Sequence, residues 1–147
     1  MTGTIIPITD DKLEECIELY INVFNCRPWD ETWTYQTVNE RLSDLMHTPK
    51  FLGFLLYEND TLIGFIAGNS KKMYTGLTFY LAEFCINNQI QGKGYGSKLL
   101  LYLEEELKKR DIQSIYLLTA TGGLAEAFYL KNNYIVYENR VVMKKNL

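Results

Sequence analysis

The sequence predicts an α/β domain. Three observations carry that class. Apolar runs of strand length alternate with amphipathic segments of helix length. Turn residues split the apolar stretch between 51 and 70 into a hairpin. A glycine-rich turn past the middle of the chain joins one apolar run to a helical pattern. The 147 residues are enough for one domain with a real core, spanning 1–147.

The elements follow in order. Residues 3–8 form a first strand. Thr9, Asp10 and Asp11 then cap a helix with Leu13, Cys16, Ile17, Tyr20 and Phe24 on one face. The segment from Asn25 to Trp33 is a loop, broken by Pro28. A second helix runs from about Tyr35 to Met46, with Val38, Leu42 and Leu45 inward, and Thr48-Pro49 ends it. Runs 51–57 and 61–70 flank Glu58-Asn59-Asp60 and make a β-hairpin. Residues 71–76 are polar and form a second connection. Residues 77–86 are the strand before the glycine turn. The helix after that turn ends near Arg110, where Lys108, Lys109 and Arg110 complement its dipole. Residues 112–120 read as a strand, and a short helix around Ala125 to Lys131 follows. Segments 134–137 and 140–144 close the chain as strands. There is no repeat, low-complexity tract or linker.

Composition narrows the function classes. Hydrophobic residues make up 47% and charged residues 22%, a globular balance. The net charge of −3 argues against a general nucleic-acid binder, which carries a basic excess. Cys16, Cys26 and Cys85 have neither metal nor disulfide spacing and read as reduced thiols of a cytoplasmic protein. No signal peptide precedes the first strand, and no apolar stretch is long enough to span a bilayer, so no membrane partner is expected. His47 is the single histidine, in an exposed-looking Met-His-Thr-Pro segment. A catalytic histidine or a histidine-based metal site is therefore not expected.

The glycine turn reads Gln91-Gly92-Lys93-Gly94-Tyr95-Gly96-Ser97. Alternate glycines let the backbone approach a ligand and turn several N–H groups toward one point. The helix behind them adds unpaired N–H groups and a positive dipole end, which suits a phosphate or pyrophosphate. A P-loop would have Ser or Thr directly after Gly-Lys, but Gly94 follows Lys93. A dinucleotide fingerprint would come after the first strand with another glycine spacing. The turn instead resembles the pyrophosphate loop of the GNAT superfamily of N-acetyltransferases, Gln/Arg-x-x-Gly-x-Gly/Ala, through Gln91, Gly94 and Gly96. Downstream, Ala125, Phe128, Tyr129, Asn133 and Tyr134 resemble that family's Ala-x-x-Phe-Tyr-x-x-x-Gly-Phe. Asn133 replaces the glycine, and asparagine tolerates the left-handed conformation a helix end needs. The two matches cover about residues 79–137.

The resemblance implies the GNAT fold, a mixed central sheet with helices on both faces. It implies acetyl-CoA (CoA) as cofactor and transfer of acetyl to a primary amine of a small molecule or peptide. Such an amine, with a free pKa of about 10, must lose a proton before it attacks. Donors must meet the charge that grows on the carbonyl oxygen. In the resembled motif the tyrosine at Tyr129 points at the cofactor sulfur and acts as general acid toward the leaving thiolate, or at least as a hydrogen-bond donor to it. The plain alternative is a packed core tyrosine. Glu83 lies in an apolar strand, where burial would raise its pKa and make it a better base. The alternative is that it reaches solvent or an Arg or Lys partner. Phe84, Cys85 and Ile86 would act through their backbone on the pantetheine and thioester, with Cys85 an ordinary core side chain. Gly92, Lys93, Tyr95 and Ser97 complete the cofactor loop, Lys93 serving either as phosphate partner or as a solvated lysine. Trp29, Asp30, Glu31 and Trp33 would line the acceptor site, although a tryptophan there can equally pack on the core. Pairing of two copies through the closing strands is compatible with this plan. The competing classes are a non-catalytic CoA-binding module and a transferase of another acyl group or acceptor.

Overall fold

The computed structural model describes residues 3–147. They form two compact units, one through Leu117 and one over Leu118–Leu147.

The first unit is built on a five-stranded sheet in the order β1-β2-β3-β4-β5. Its strands are β1 (Thr4–Pro7), β2 (Phe51–Glu58), β3 (Thr61–Met73), β4 (Gly76–Ile86) and β5 (Ile112–Tyr116). The first four pair antiparallel, and β5 joins β4 in parallel after a helical crossover, so the sheet is mixed. Helices α1 (Leu13–Phe24) and α2 (Tyr35–Met46) lie between β1 and β2 in the chain, and α3 (Tyr95–Lys109) between β4 and β5.

Helices cover both faces. Cys16, Ile17, Tyr20 and Val23 of α1 and Val38 and Leu42 of α2 form one core with Leu55, Phe65 and Cys85. Phe54, on the alternate face of β2, packs edge-on against Tyr102 of α3 with ring centroids 5.0 Å apart. Leu99, Leu100, Leu103 and Leu107 of α3 are buried. Each such side chain contributes about 1.5–3 kcal/mol of hydrophobic stabilisation. A one-turn 3₁₀ helix at Asp10–Lys12 precedes α1 where the sequence suggested a direct cap. Thr34 caps α2: its hydroxyl accepts from Thr37 N–H while the Thr37 hydroxyl accepts from Thr34 N–H.

Three expectations are corrected. Residues 71–73 belong to β3, and the turn to β4 is only Tyr74-Thr75, because Lys71, Lys72 and Met73 find partners in Thr78, Leu77 and Gly76. Strand β5 stops at Tyr116 rather than 120, and its pairing with β4 covers only Leu77 to Tyr80. The closing strands at 134–137 and 140–144 do not form. A strand needs a ladder partner, and the hydrogen bonds there are local: Tyr134 N–H to Tyr129 C=O at 3.0 Å and Arg140 N–H to Tyr137 C=O at 3.3 Å. The second unit is thus one helix, α4 (Leu124–Lys131), with an irregular tail.

One backbone detail positions the site. Ala67 lies opposite Glu83, but Gly68 lies opposite Leu81, so Ala82 is an extra residue in β4. At this bulge Gly68 has no room for a side chain: a Cβ would stand 1.9 Å from the Tyr80 carbonyl oxygen and 2.7 Å from the Phe79 ring. Gly68→Ala is therefore expected to cost about 1–3 kcal/mol, a melting-temperature drop of roughly 2–4 °C per kcal/mol. A thermal melt within a degree of the parent would show that the bulge tolerates a side chain.

Candidate active site

Glu83, beside this bulge, meets side chains of α1 and α2. Its carboxylate is 7% exposed and forms an ion pair with Arg41 Nε from α2. The Tyr20 hydroxyl of α1 donates to its other oxygen at 3.4 Å. Burial raises the Glu83 pKa above its ordinary 4.5. The Arg41 hydrogen bond and charge, and the Tyr20 hydroxyl, pull it down without cancelling the rise. The Glu31 charge adds to the rise, so Glu31 is electrostatically coupled to Glu83. The two alternatives weighed for Glu83 thus coexist: it is buried, and it has an arginine partner.

The loop between α1 and α2 is tied down by its own polar groups. Asn25 bridges the backbone of Trp33, donating to its carbonyl and accepting from its N–H, both at 2.8 Å. Glu31 N–H donates to Phe24 C=O at 2.8 Å, and the Trp33 indole N–H donates to Glu31 Oε1 at 2.6 Å. Trp33 meets Tyr20 edge-on at 5.3 Å, and the Arg41 guanidinium lies over its ring at 5.3 Å. Trp29 stacks edge-on against Phe24 at 5.2 Å and stays partly exposed. Asp30, exposed, takes the left-handed conformation with φ 50°. Glu31, Trp33 and Glu83 are thereby brought to one place, around Arg41. Trp33 serves the core and the site at once.

The glycine turn follows the C-terminal end of β4, the end near which Glu83 lies. Gly92 and Gly94 have φ 84° and 85°, conformations that side chains other than glycine rarely take. Gly94 is the N-cap of α3, and Lys98 N–H makes the first helical bond to its carbonyl at 3.0 Å. The N–H groups of Tyr95, Gly96 and Ser97 precede that bond, so helix geometry gives them no intrahelical acceptor. Acidic residues are absent from the first turn of α3, and a Cβ on Gly92 would meet nothing within 4 Å. Backbone donors, an open approach and a positive helix end fit a phosphate-bearing group. The Gln91 side chain faces back into the turn, donating to Ile86 C=O at 2.9 Å and Asn88 Oδ1 at 3.1 Å. The Tyr95 hydroxyl donates to Glu58 at 2.9 Å. Lys93 is exposed. Cys85 is buried in the core, where burial pushes its thiol pKa far up.

Tyr129 lies on α4, in the second unit. Its ring meets Phe128 at 5.3 Å and Tyr134 at 5.5 Å, and burial raises its phenol pKa. The phenol therefore holds its proton at neutral pH. Asn133 takes the left-handed conformation expected of a glycine substitute, with φ 71°. Among the described residues no cluster of His, Cys, Asp or Glu could hold a metal ion, and no helix is long and apolar enough to cross a membrane.

The sequence reading missed Arg41 and the role of the Tyr20 hydroxyl. The signal was present: Val38, Arg41, Leu42 and Leu45 fall at i, i+3, i+4 and i+7, so Arg41 is the one charge in the inward stripe of α2. A charge in that stripe asks for a buried counter-charge, and Glu83 was the unpaired candidate.

Comparison with known proteins agrees with this architecture. The acetyltransferase (GNAT) family model matches residues 13–134. The Bacillus subtilis (strain 168) protein YxbD is 33% identical over 86 residues, 54% of this chain and 54% of that protein, so the match spans about half of the relative. A possible acetyltransferase from Clostridium difficile 630 superposes with a TM-score of 0.83 at 13% identity, over 100% of this chain and 99% of that one. The aminoglycoside N-acetyltransferase AAC(6')-Iy in complex with CoA superposes with a TM-score of 0.76 at 11% identity, over 99% and 95%.

Arg41→Gln removes the main influence that lowers the Glu83 pKa, so the folded-state value rises further while the unfolded value stays. Below the unfolded value both states hold the proton and this source costs nothing. As pH rises through the folded value, an ionised Glu83 is left buried without its cation. The melting-temperature deficit of Arg41→Gln against the parent should therefore be larger at about pH 7.5 than at about pH 5. Equal deficits at both would show that the pair is not electrostatically coupled.

Proposed function

The chain belongs to the GNAT acetyltransferase family, and on that premise we propose that it is an acetyl-CoA-dependent N-acetyltransferase acting on a primary amine by direct attack in a ternary complex. The observation that carries this reading is the α3 N-terminus, where Gly92 and Gly94 take left-handed backbone ahead of a helix with no acidic first turn. Bound acetyl-CoA supplies an acyl group already activated as a thioester. The backbone of 91–97 holds the pyrophosphate, with Lys93 as an accessory charge. The main chain of Phe84, Cys85 and Ile86, at the end of β4 just ahead of the loop, holds the pantetheine arm and polarises the acetyl carbonyl.

Glu83 accepts the proton of the amine, directly or through a water. Its raised pKa makes it a stronger base than an exposed carboxylate, and Arg41 favours its ionised form. Tyr129 gives its proton to the departing thiolate, a role suited to a phenol that stays protonated. Trp29, Asp30, Glu31 and Trp33 line the acceptor side. The aminoglycoside acetyltransferase among the structural neighbours supports an amine as the acceptor.

Release of CoA from acetyl-CoA in the presence of a panel of amines tests the activity. A thermal shift with CoA but no turnover on any amine would favour a non-catalytic CoA-binding module. Gly94→Val places a branched side chain at φ 85° on the helix cap, and should abolish CoA binding in calorimetry while circular dichroism stays native. Normal affinity in that variant would move the pyrophosphate elsewhere. Tyr129→Phe preserves the ring packing and removes only the donor. Turnover should fall roughly 10²–10⁴-fold with CoA affinity unchanged. Parent-like turnover with chemistry rate-limiting would remove Tyr129 as the acid.

A further inference from the structure

We infer that the acceptor amine carries a carboxylate, and that the outer edge of the Arg41 guanidinium binds it. The inference rests on the acceptor side proposed above and names its substrate class. A guanidinium offers five N–H donors in a rigid plane. Arg41 commits its Nε to Glu83 and its guanidinium face to Trp33. Among the described residues no hydrogen bond or ion pair engages its Nη atoms, and its side chain remains 50% exposed. The group is thus oriented by two fixed contacts and presents an unused fork of paired donors. Neutralising Glu83 would need only a point charge, which a lysine supplies. A second donor edge is what arginine adds, and its geometry matches a carboxylate through two parallel hydrogen bonds.

The signs of the surrounding charges select the ligand. Glu83 pairs with Arg41, the Glu31 charge is felt at Glu83, and Asp30 is the neighbour of Glu31. One cation among these carboxylates favours a ligand that brings one anion and one cation together. A polycationic amine would face the guanidinium with no anion to offer. A dianionic phosphate would meet several carboxylates with a single positive partner. A small amino carboxylate satisfies both sides: its ammonium is drawn toward Glu31 and its carboxylate to Arg41.

The test uses matched acceptors at saturating acetyl-CoA. Each amino acid in a panel is paired with the amino alcohol obtained by reducing its carboxylate, and phosphoethanolamine is paired with ethanolamine. In the parent protein kcat/KM should favour the best carboxylate over its alcohol by about 10–100-fold, the worth of a charge-assisted contact. In Arg41→Gln that ratio should fall to near one, and in Arg41→Lys it should fall part of the way. Damage to Glu83 slows both members of a pair equally and so cancels in the ratio. Turnover with a ratio near one in the parent overturns the inference and leaves the N-acetyltransferase reading standing. So does a ratio untouched in both variants, or a larger preference for the phosphate pair. If Arg41→Gln fails to fold, the parent and Arg41→Lys ratios decide. Turnover of no amine, with CoA binding intact by thermal shift, overturns both the reading and the inference.

Discussion

Glu83 imposes its needs on everything around it. A carboxylate 7% exposed on a sheet strand is costly unless its oxygens are matched by charge and hydrogen bonds. Arg41 and Tyr20 supply that match from two different helices. Helix α2 must therefore present Arg41 to β4, and α1 must turn Tyr20 the same way. The rest of the loop follows. Trp33 fills the space between Tyr20 and Arg41, and Asn25 locks the Trp33 backbone so that the indole keeps its place. The bulge at Ala82 fixes where along β4 the carboxylate emerges.

The same strand carries the second constraint. Between Ile86 and Tyr95 the chain has to change from strand to helix through left-handed glycines. The turn is stiffened locally: Asn87 accepts from Gln89 N–H at 2.9 Å, Asn88 donates to Val23 C=O at 3.3 Å, and Gln91 returns to Ile86 and Asn88. The Asn88 contact links the turn to the end of α1, the helix that supplies Tyr20. One strand thus has Glu83 along its length and the glycine turn beyond its end. In the proposed reaction that arrangement would fix an acid–base group relative to a phosphate anchor.

How much of this could be read in the sequence depended on whether the signal was local. Helix α2 begins and ends where the sequence put it, because Thr34 and Thr48-Pro49 are local punctuation. The glycine turn was legible for the same reason, since only glycine suits its backbone. Lys71, Lys72 and Met73 were read as connection because polarity was taken for a loop. Cross-strand pairing with Gly76, Leu77 and Thr78 overrides that preference. The segments at 134–137 and 140–144 are apolar enough for strands, but a strand is a property of two chains side by side, and their sequence cannot supply the ladder. The bulge was likewise hidden, because buried Phe79, Leu81, Glu83 and Cys85 alternate through it without a break. Arg41 was the legible residue that went unread.

The Glu83–Arg41 pair also bears on how a base can sit inside a sheet. Burial alone would drive the carboxyl toward its neutral form, which accepts no proton. Full pairing alone would hold its pKa low, and a weak base would result. Here the two influences oppose each other: burial is the larger and the guanidinium offsets part of it. The outcome is a carboxylate more basic than one in water, with a partner half in solvent that favours its charged form. The contacts that make Glu83 tolerable in the core are also the ones that set its pKa, so in the proposed reaction a structural and a catalytic role would not be rivals at this position.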